Sequence, residues 1–333
     1  MHRLLIATLL LIAATARCQA ACDSLMVMFY NVENLFDCQD DSLKDDDEFL
    51  PTAIRHWHVG RFKRKMADIS RVIVNSGRGA IPAIVGLCEV ENEYVMRYLT
   101  RYSPLKQLGY RHVMTDSPDE RGIDVAIIYQ RERFKPVATR SVRVDVSPAG
   151  ASPTRDLLHC CGLVATGDTL DIIACHLPSR RGGSATAAKA RRMVLDRLRS
   201  YADSLTAVRT SANIVIMGDF NTPAGDAMLA KAFDDGSYAL LTAAYADSTE
   251  VGSYKYRALW QTYDHIIANR RLLEASGSLS ITPARVVADA YLLTDDTKHL
   301  GRKPRRTYVG MRYAGGISDH LPVIATVRMR LEW

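Results

Sequence analysis

The chain is short of the features that mark several protein classes, and each shortage narrows its reading. Seven cysteines occur in 333 residues, and no Cys/His spacing among them suggests a zinc site. Cys88 and Cys175 sit inside apolar runs and read as small core residues, and Cys160-Cys161 lies in a strand-like pattern. No apolar stretch after the first fourteen residues is long enough to cross a bilayer. No Gly/Ser-rich or Pro-rich linker interrupts the pattern, so one large domain is expected rather than two. No repeat of fixed period is present, which excludes a solenoid or propeller. Strict strand–helix alternation is also missing, which disfavours a doubly wound parallel sheet.

The N-terminus reads as a targeting segment. His2 and Arg3 precede an apolar run from Leu4 to Ala14, and Cys18-Gln19-Ala20 offers a small-x-small cleavage site. A signal peptide over residues 1–20 is therefore expected, leaving a domain over 21–333 that is exported to a periplasmic or extracellular location. An uncleaved anchor or a lipid-modified Cys22 is the alternative. In an exported chain, Cys22 with Cys38 is the pair to test as a disulfide. Losing Arg3 and Arg17 from the 43 basic residues leaves 41 against 37 acidic ones, a net charge of +4. That balance is compatible with a polyanionic partner without demanding one.

What is present is a series of short apolar runs: LMVMFYNV, AIVGLCEV, DVAIIYQ, LDIIACHL, NIVIMGDF, YDHIIAN and HLPVIATVRMR. Two helical patterns lie between them. Residues 61–75 place Phe62, Met66, Ile69 and Ile73 on one face, and residues 185–207 carry Met193, Val194, Leu198 and Leu205. Many strands with few helices predict a mixed sandwich, two sheets face to face with helices outside. The run Asp40 to Glu48 holds six acids in nine residues without the glycine of an EF-hand loop, and reads as solvated loop. The basic stretch Arg302 to Arg306 is broken by Pro304 and reads as loop that faces solvent or touches phosphate.

Polar residues end the apolar runs. Asn31 and Glu33 follow the first, Glu89 the second, His176 the fourth, and Asp219 and Asn221 the fifth. Asp264 and His265 lead into the sixth, Asp319 and His320 into the last. Asp219 and Asn221, two apart, share a face if the chain is extended, although both residues also favour turns. One such ending is unremarkable; six predict a single cleft rimmed by carboxylates, amides and imidazoles. Hard oxygen donors suit magnesium and imidazoles suit a phosphoryl group, so the set points to phosphoester hydrolysis.

The segments FYNVENLF, GLCEVEN, CHLPSR, MGDFNTP, TYDHI and GISDHLPV resemble, in order, the motifs of the endonuclease/exonuclease/phosphatase superfamily, over about Met26 to Arg328. That superfamily includes deoxyribonuclease I, apurinic endonucleases, bacterial sphingomyelinases and inositol polyphosphate 5-phosphatases. The resemblance implies an α+β fold, a four-layered αββα sandwich of two mostly antiparallel sheets with helices outside. It implies Mg2+ or Mn2+ held by Glu89, with Asn31 and Asp319 on the metal side. It further implies that Asp219 orients or deprotonates the attacking water and that Asn221 holds water and phosphate. His320 would face the phosphoryl oxygens with Asp264 fixing its tautomer, and His176 would make a second contact to the developing charge. Arg180 and Arg181, directly after the histidine motif, are candidates to reach substrate phosphate. Cys88 stands where many members carry glutamine, and His265 reads as a structural histidine. The expected function is an exported metal-dependent endonuclease acting as a monomer on nucleic acid. The alternatives are a phosphatase or lipid phosphodiesterase with the same core, or a non-catalytic binding module.

Overall fold

Apolar runs become strands, and their alternation decides which side chains meet between the sheets. The structure, a computed structural model, describes residues 24–180, 185–209, 211–274 and 276–331. The expected signal peptide, Cys22 with its candidate partnership to Cys38, and Arg181 lie outside the described residues. The first sheet begins with β1 (Ser24–Leu35), β2 (Ile84–Val90), β3 (Tyr110–Met114) and β4 (Asp124–Gln130). The second takes β5 (Lys135–Val142), β6 (Leu157–Leu163), β7 (Thr169–His176), β8 (Asn213–Asp219), β9 (Tyr238–Leu240) and β10 (Asp264–Asn269). The chain then returns to the first sheet with β11 (Leu279–Ile281), β12 (Arg285–Val286) and β13 (Val323–Met329). Spatial order is β11-β13-β1-β2-β4-β3 in the first sheet, with β12 also on β13, and β5-β6-β7-β8-β10-β9 in the second.

Antiparallel pairing prevails, but each sheet carries one parallel pair at its centre, β1 with β2 and β7 with β8. A parallel pair needs a crossover, and the two long helices provide it. Among the described residues the α-helices are α1 (Val59–Asn75), α2 (Glu93–Arg101), α3 (Ala185–Val208) and α4 (Ala227–Phe233). α1 joins β1 to β2 and α3 joins β7 to β8, close to the two helical patterns read from the sequence. α1 starts where the His58 imidazole accepts a bond from the Gly60 amide, and buries Phe62, Met66, Ile69 and Ile73 as the 3.6-residue period requires. α2 escaped the sequence reading; Asn92 caps it by accepting from the Val95 amide.

Four layers follow. Residues of α1 and α2 pack in one core with the first sheet and the inner face of the second, whereas α3 and α4 pack on the outer face of the second sheet. Strand β8 shows the division: Val215 and Met217 belong to the inter-sheet core, Ile214 and Ile216 to the helix-covered one. Continuing that alternation points Asp219 between the sheets. The same rule applies to β7, where Ile172 and Ala174 face inward and lead to His176, and to β10, where Ala268 and Ile266 lead back to Asp264. Gly86 lets the sheets approach beneath this end, because a Cβ there would lie 2.7 Å from the Met217 sulfur.

Candidate active site

Register does the first part of the assembly. His176, Asp219 and Asp264 are direct neighbours across β7, β8 and β10. All three point into the space between the sheets, at most 3% exposed. From the facing sheet come Asn31, where the regular pairing of β1 with β2 stops, and Glu89 near the end of β2. Asn31 Nδ2 donates to Asp219 Oδ2 at 3.1 Å and to Glu89 Oε1 at 3.2 Å, tying the two sheets' acids together. His320 enters from the loop before β13; its Nδ1 lies 2.7 Å from Asp264 Oδ2 and its Nε2 3.8 Å from Asp219 Oδ2. His176 Nε2 lies 3.6 Å from the same Asp219 oxygen.

Backbone strain marks the ends of these strands. Glu33, Asn34, Glu89 and Asn221 all adopt positive φ, between 48° and 60°. Such conformations cost L-residues roughly 1–2 kcal/mol each. The register of β1 against β2 slips between Asn31 and Leu35, and that of β2 against β4 between Cys88 and Val90. These bulges re-aim side chains at the strand ends. Here they let the Asn34 amide donate to Glu89 Oε2 at 2.9 Å. Asn221 departs from the extended geometry that would set its side chain beside Asp219. Its left-handed backbone closes a turn, the amide donating to Asp219 Oδ1 at 2.8 Å, while Nδ2 donates to the Leu177 carbonyl at 3.0 Å. Of the two readings open for this pair, the turn is the one observed, and it orients Asp219.

The electrostatics separate the titratable groups. Burial pushes the Asp219 carboxyl up to about 7; Asp264 adds to this, and His320 opposes it. Burial works against the charge of His320, but the Asp264 and Asp219 carboxylates prevail and hold it well above the ordinary imidazole value. His176 goes the other way, lowered by burial and by the Arg155 and Arg121 guanidinium groups. One histidine is thus a cation and the other a neutral ring, with one carboxylate between them. His265 is buried between Thr242 Oγ1 and the Thr222 carbonyl, 2.7 and 2.9 Å away, and burial lowers it to about 4, as a structural histidine would be.

On the other side of Asn31 a second acid group gathers. Glu33 Oε2 accepts from the Thr307 amide at 2.6 Å, and Arg306 bridges Glu33 Oε1 and Asp319 Oδ2 at 3.4 and 2.9 Å. Burial, and then Asp319, push Glu33 up to about 7. The buried Lys65 ammonium donates to the Glu33 carbonyl and, at 2.6 Å, to Thr307 Oγ1. It feels the charges of Glu33, Asp319 and Glu89 together. Asp319 is therefore held by Arg306, apart from the tightest cluster. Among the described residues, the His, Cys, Asp and Glu ligand atoms that converge within 4.8 Å are those of Asp219, Asp264 and His320, and of Cys88, His176 and Asp219. The carboxylates of Glu89, Glu33 and Asp319 all act on Lys65 but are not among the groups that converge within 4.8 Å; what they offer a hard divalent cation is oxygen-donor chemistry, with Lys65 and Arg306 against it.

Sequence reasoning missed three cations. Lys65 had a signal, since it lies three residues after Phe62 and four before Ile69 on the apolar face of α1. Arg155 had none; its Nη1 and Nη2 reach Asp119 at 2.9 Å and the Leu177 carbonyl at 2.8 Å, bracing the histidine strand. Arg306 was read only as part of a basic loop. Of that stretch, Arg302–Pro304 is not loop but a short strand paired with Leu293–Asp295, and its other cations are spent elsewhere: Arg302 on the Ala290 carbonyl, Lys303 on Asp296 and Arg305 on the Tyr291 carbonyl. Arg180 is exposed, with its guanidinium 6.0 Å from the Tyr263 ring. Tyr263 stacks on Tyr254 at 5.4 Å, and Tyr254 lies 4.8 Å from the His320 ring, so Arg180 stands on the rim of the cleft. The acidic run Asp40 to Glu48 is mostly exposed, with Asp46 buried.

Solved structures with the same architecture cover nearly the whole chain. A humanized D. rerio TDP2 aligns at 14% identity, covering 92% of this chain and 100% of its own, with a TM-score of 0.59. A mannosyl-6-phosphatase from Bacteroides thetaiotaomicron aligns at 14% identity over 91% and 99%, TM-score 0.55. The human Nocturnin catalytic domain aligns at 16% over 92% and 95%, TM-score 0.55. At such identities these establish the fold alone. No curated protein sequence matches the chain. Among the described residues no helix is long and apolar enough to cross a membrane. The sequence profile of one family does match, over residues 26–329 and hence over every strand-end acid, amide and histidine described above: the chain belongs to the endonuclease/exonuclease/phosphatase family.

Proposed function

We propose that this chain hydrolyses a phosphoester by in-line attack of water, with Mg2+ or Mn2+ held at Glu89, Asn31 and Asp319. The reading is carried by the line-up of His176, Asp219 and Asp264 on three adjacent strands, closed by His320. Asp219, its Oδ1 fixed by the Asn221 amide, accepts the proton of the attacking water through Oδ2. Asp264 keeps Nδ1 of His320 protonated, so the Nε2 proton is presented to a phosphoryl oxygen. His176, neutral and buried, adds a second imidazole at the same place. The cation, when bound, neutralises phosphoryl oxygens and helps the leaving alkoxide depart. Chelation with EDTA is expected to abolish hydrolysis, and Mg2+ or Mn2+ to restore it; full activity in excess chelator overturns the reading.

For substrate we propose a nucleic-acid phosphodiester, reached by Arg180 and by Arg181 next to it. Support comes from the exposed Arg180 on the rim and from the likeness of the fold to a TDP2 solved with a single-stranded DNA product. The rival, a compact phosphomonoester, is favoured by the engagement of Arg302, Lys303, Arg305 and Arg306 within the protein, which leaves few cations for a polyanion. Nicking of supercoiled plasmid against release of phosphate from sugar and inositol phosphates separates the two. Export rests on residues 1–20, and intact-mass analysis from an exporting host is expected to show a chain starting near Ala21.

A further inference from the structure

Asp219 is shared by two clusters, and the catalytic reading leaves one member of the second, Cys88, without a role. This second cluster joins Cys88 of β2, in the first sheet, to His176 and Asp219 of the second sheet. Sulfur, imidazole nitrogen and carboxylate oxygen lie within 4.8 Å of one another. All three side chains are buried, Cys88 completely. His176 Nδ1 has no hydrogen-bond partner, and Nε2, at 3.6 Å from Asp219 Oδ2, is beyond ordinary hydrogen-bond distance. A neutral imidazole has one lone pair, and Nε2, the nitrogen turned toward Asp219, is the one a ligand shared with that carboxylate would use. The Nε2–Oδ2 separation is close to the roughly 3.3 Å edge of a tetrahedron with metal–ligand bonds of about 2.0 Å. No spacing in the sequence reveals this set, because its members come from three strands of two sheets.

We propose that Cys88, His176 and Asp219 form a second metal site, one that takes a thiophilic divalent ion such as Zn2+ and switches hydrolysis off when filled. The donor types decide between the two ions. Thiolate and imidazole suit zinc, whereas the oxygen set around Glu89 suits magnesium. Zinc binding displaces the Cys88 thiol proton to solvent, and the ion is then held by thiolate, neutral imidazole and carboxylate, with a water completing four-coordination. Asp219 so engaged has no lone pair free in the direction of the attacking water. Inhibition therefore does not depend on displacing the catalytic cation, and excess Mg2+ does not relieve it.

The inhibition arm of the test rests on the proposed hydrolytic function; the spectroscopic arm does not. The first measurement is the absorption of the purified mature chain on adding Co2+, a stand-in for Zn2+. A near-ultraviolet thiolate-to-cobalt band is expected, lost in Cys88→Ser and in Cys88→Ala and kept in Cys175→Ala. The second is the Zn2+ concentration for half-inhibition, at saturating Mg2+ and at a large excess. It is expected to stay fixed as Mg2+ rises and to increase about tenfold or more in Cys88→Ser, which removes one of three protein ligands. Cobalt binding without a thiolate band, or a band that survives in both Cys88 variants, overturns the site. Relief by Mg2+, or equal inhibition of parent and variant, overturns the switch.

Discussion

Asp219 sets stability against the function proposed for it. Its carboxyl is raised from an ordinary 3.8 to about 7, chiefly by burial. A carboxyl raised on folding opposes folding once the unfolded chain ionises, so stability falls as pH climbs from about 4 and levels off above about 7. Asp219→Asn removes the titration and keeps an oxygen to accept the Asn221 amide. We expect the variant to be more stable than the parent, with an advantage small at pH 4, growing to about pH 7 and flat beyond, on the order of a few kcal/mol. Urea unfolding at several pH values checks this. Hydrolysis should fall by about 10²–10⁴ in the same variant, because the group proposed to accept the water's proton is gone. An Asp219→Asn variant whose stability relative to the parent is the same at pH 4 and pH 8 would show that burial does not strain this acid.

At the scale of elements, β2 and β8 control how closely the two sheets close under the cleft. A Cβ added at Gly86 would lie 2.7 Å from Met217 Sδ and 3.1 Å from both Met217 Cγ and Phe29 Cδ2. Gly86→Ala is expected to cost about 1–3 kcal/mol by overpacking. Met217 shares the inward face of β8 with Asp219, so activity should fall although no polar group changes. Pairing it with Met217→Val, which vacates that space, should recover part of the loss, and a double-mutant cycle measures the coupling. Additive costs would mean that the sheets do not meet there.

Elements were also the level most readable from sequence. The faces of α1 and α3 follow the 3.6-residue period, and the acids and histidines of the cleft stand at the ends of apolar runs because strands of a sandwich end together. α2 was missed because nine residues carry few periods and only the cap at Asn92 marks its start. The spacing of Asp219 and Asn221 left a turn and an extended chain equally open, because two residues apart is compatible with both. Arg155, Arg306 and the Cys88–His176–Asp219 cluster could not be read, since each depends on which strands pack together rather than on what stands nearby in sequence.

Over the whole molecule, charge decides how a polyanion would be held. The mature chain is expected to carry a net charge of only +4, and four of the five residues from Arg302 to Arg306, all but the proline, are bonded within the protein. Among the described residues, guanidinium groups near the cleft include the exposed Arg180 on the aromatic rim and the half-buried Arg121, paired with Asp119 at 3.5 Å, whose charge helps lower the pKa of His176. If each meets one phosphate, binding should weaken with salt on a log–log slope of about −2, since each neutralised phosphate contributes roughly −0.9. Arg180→Glu should then reduce the slope by about one and weaken plasmid cleavage at low salt, while hydrolysis of a small phosphodiester such as bis(p-nitrophenyl) phosphate is unchanged. The measurement is kcat/KM for plasmid nicking between about 50 and 200 mM salt, with parent and variant side by side. A slope near zero in the parent, or an Arg180→Glu variant that loses both substrates equally, would remove nucleic acid as the substrate. The proposed hydrolytic core at Asp219 and His320 would survive either result, because neither outcome touches the residues proposed to activate the water.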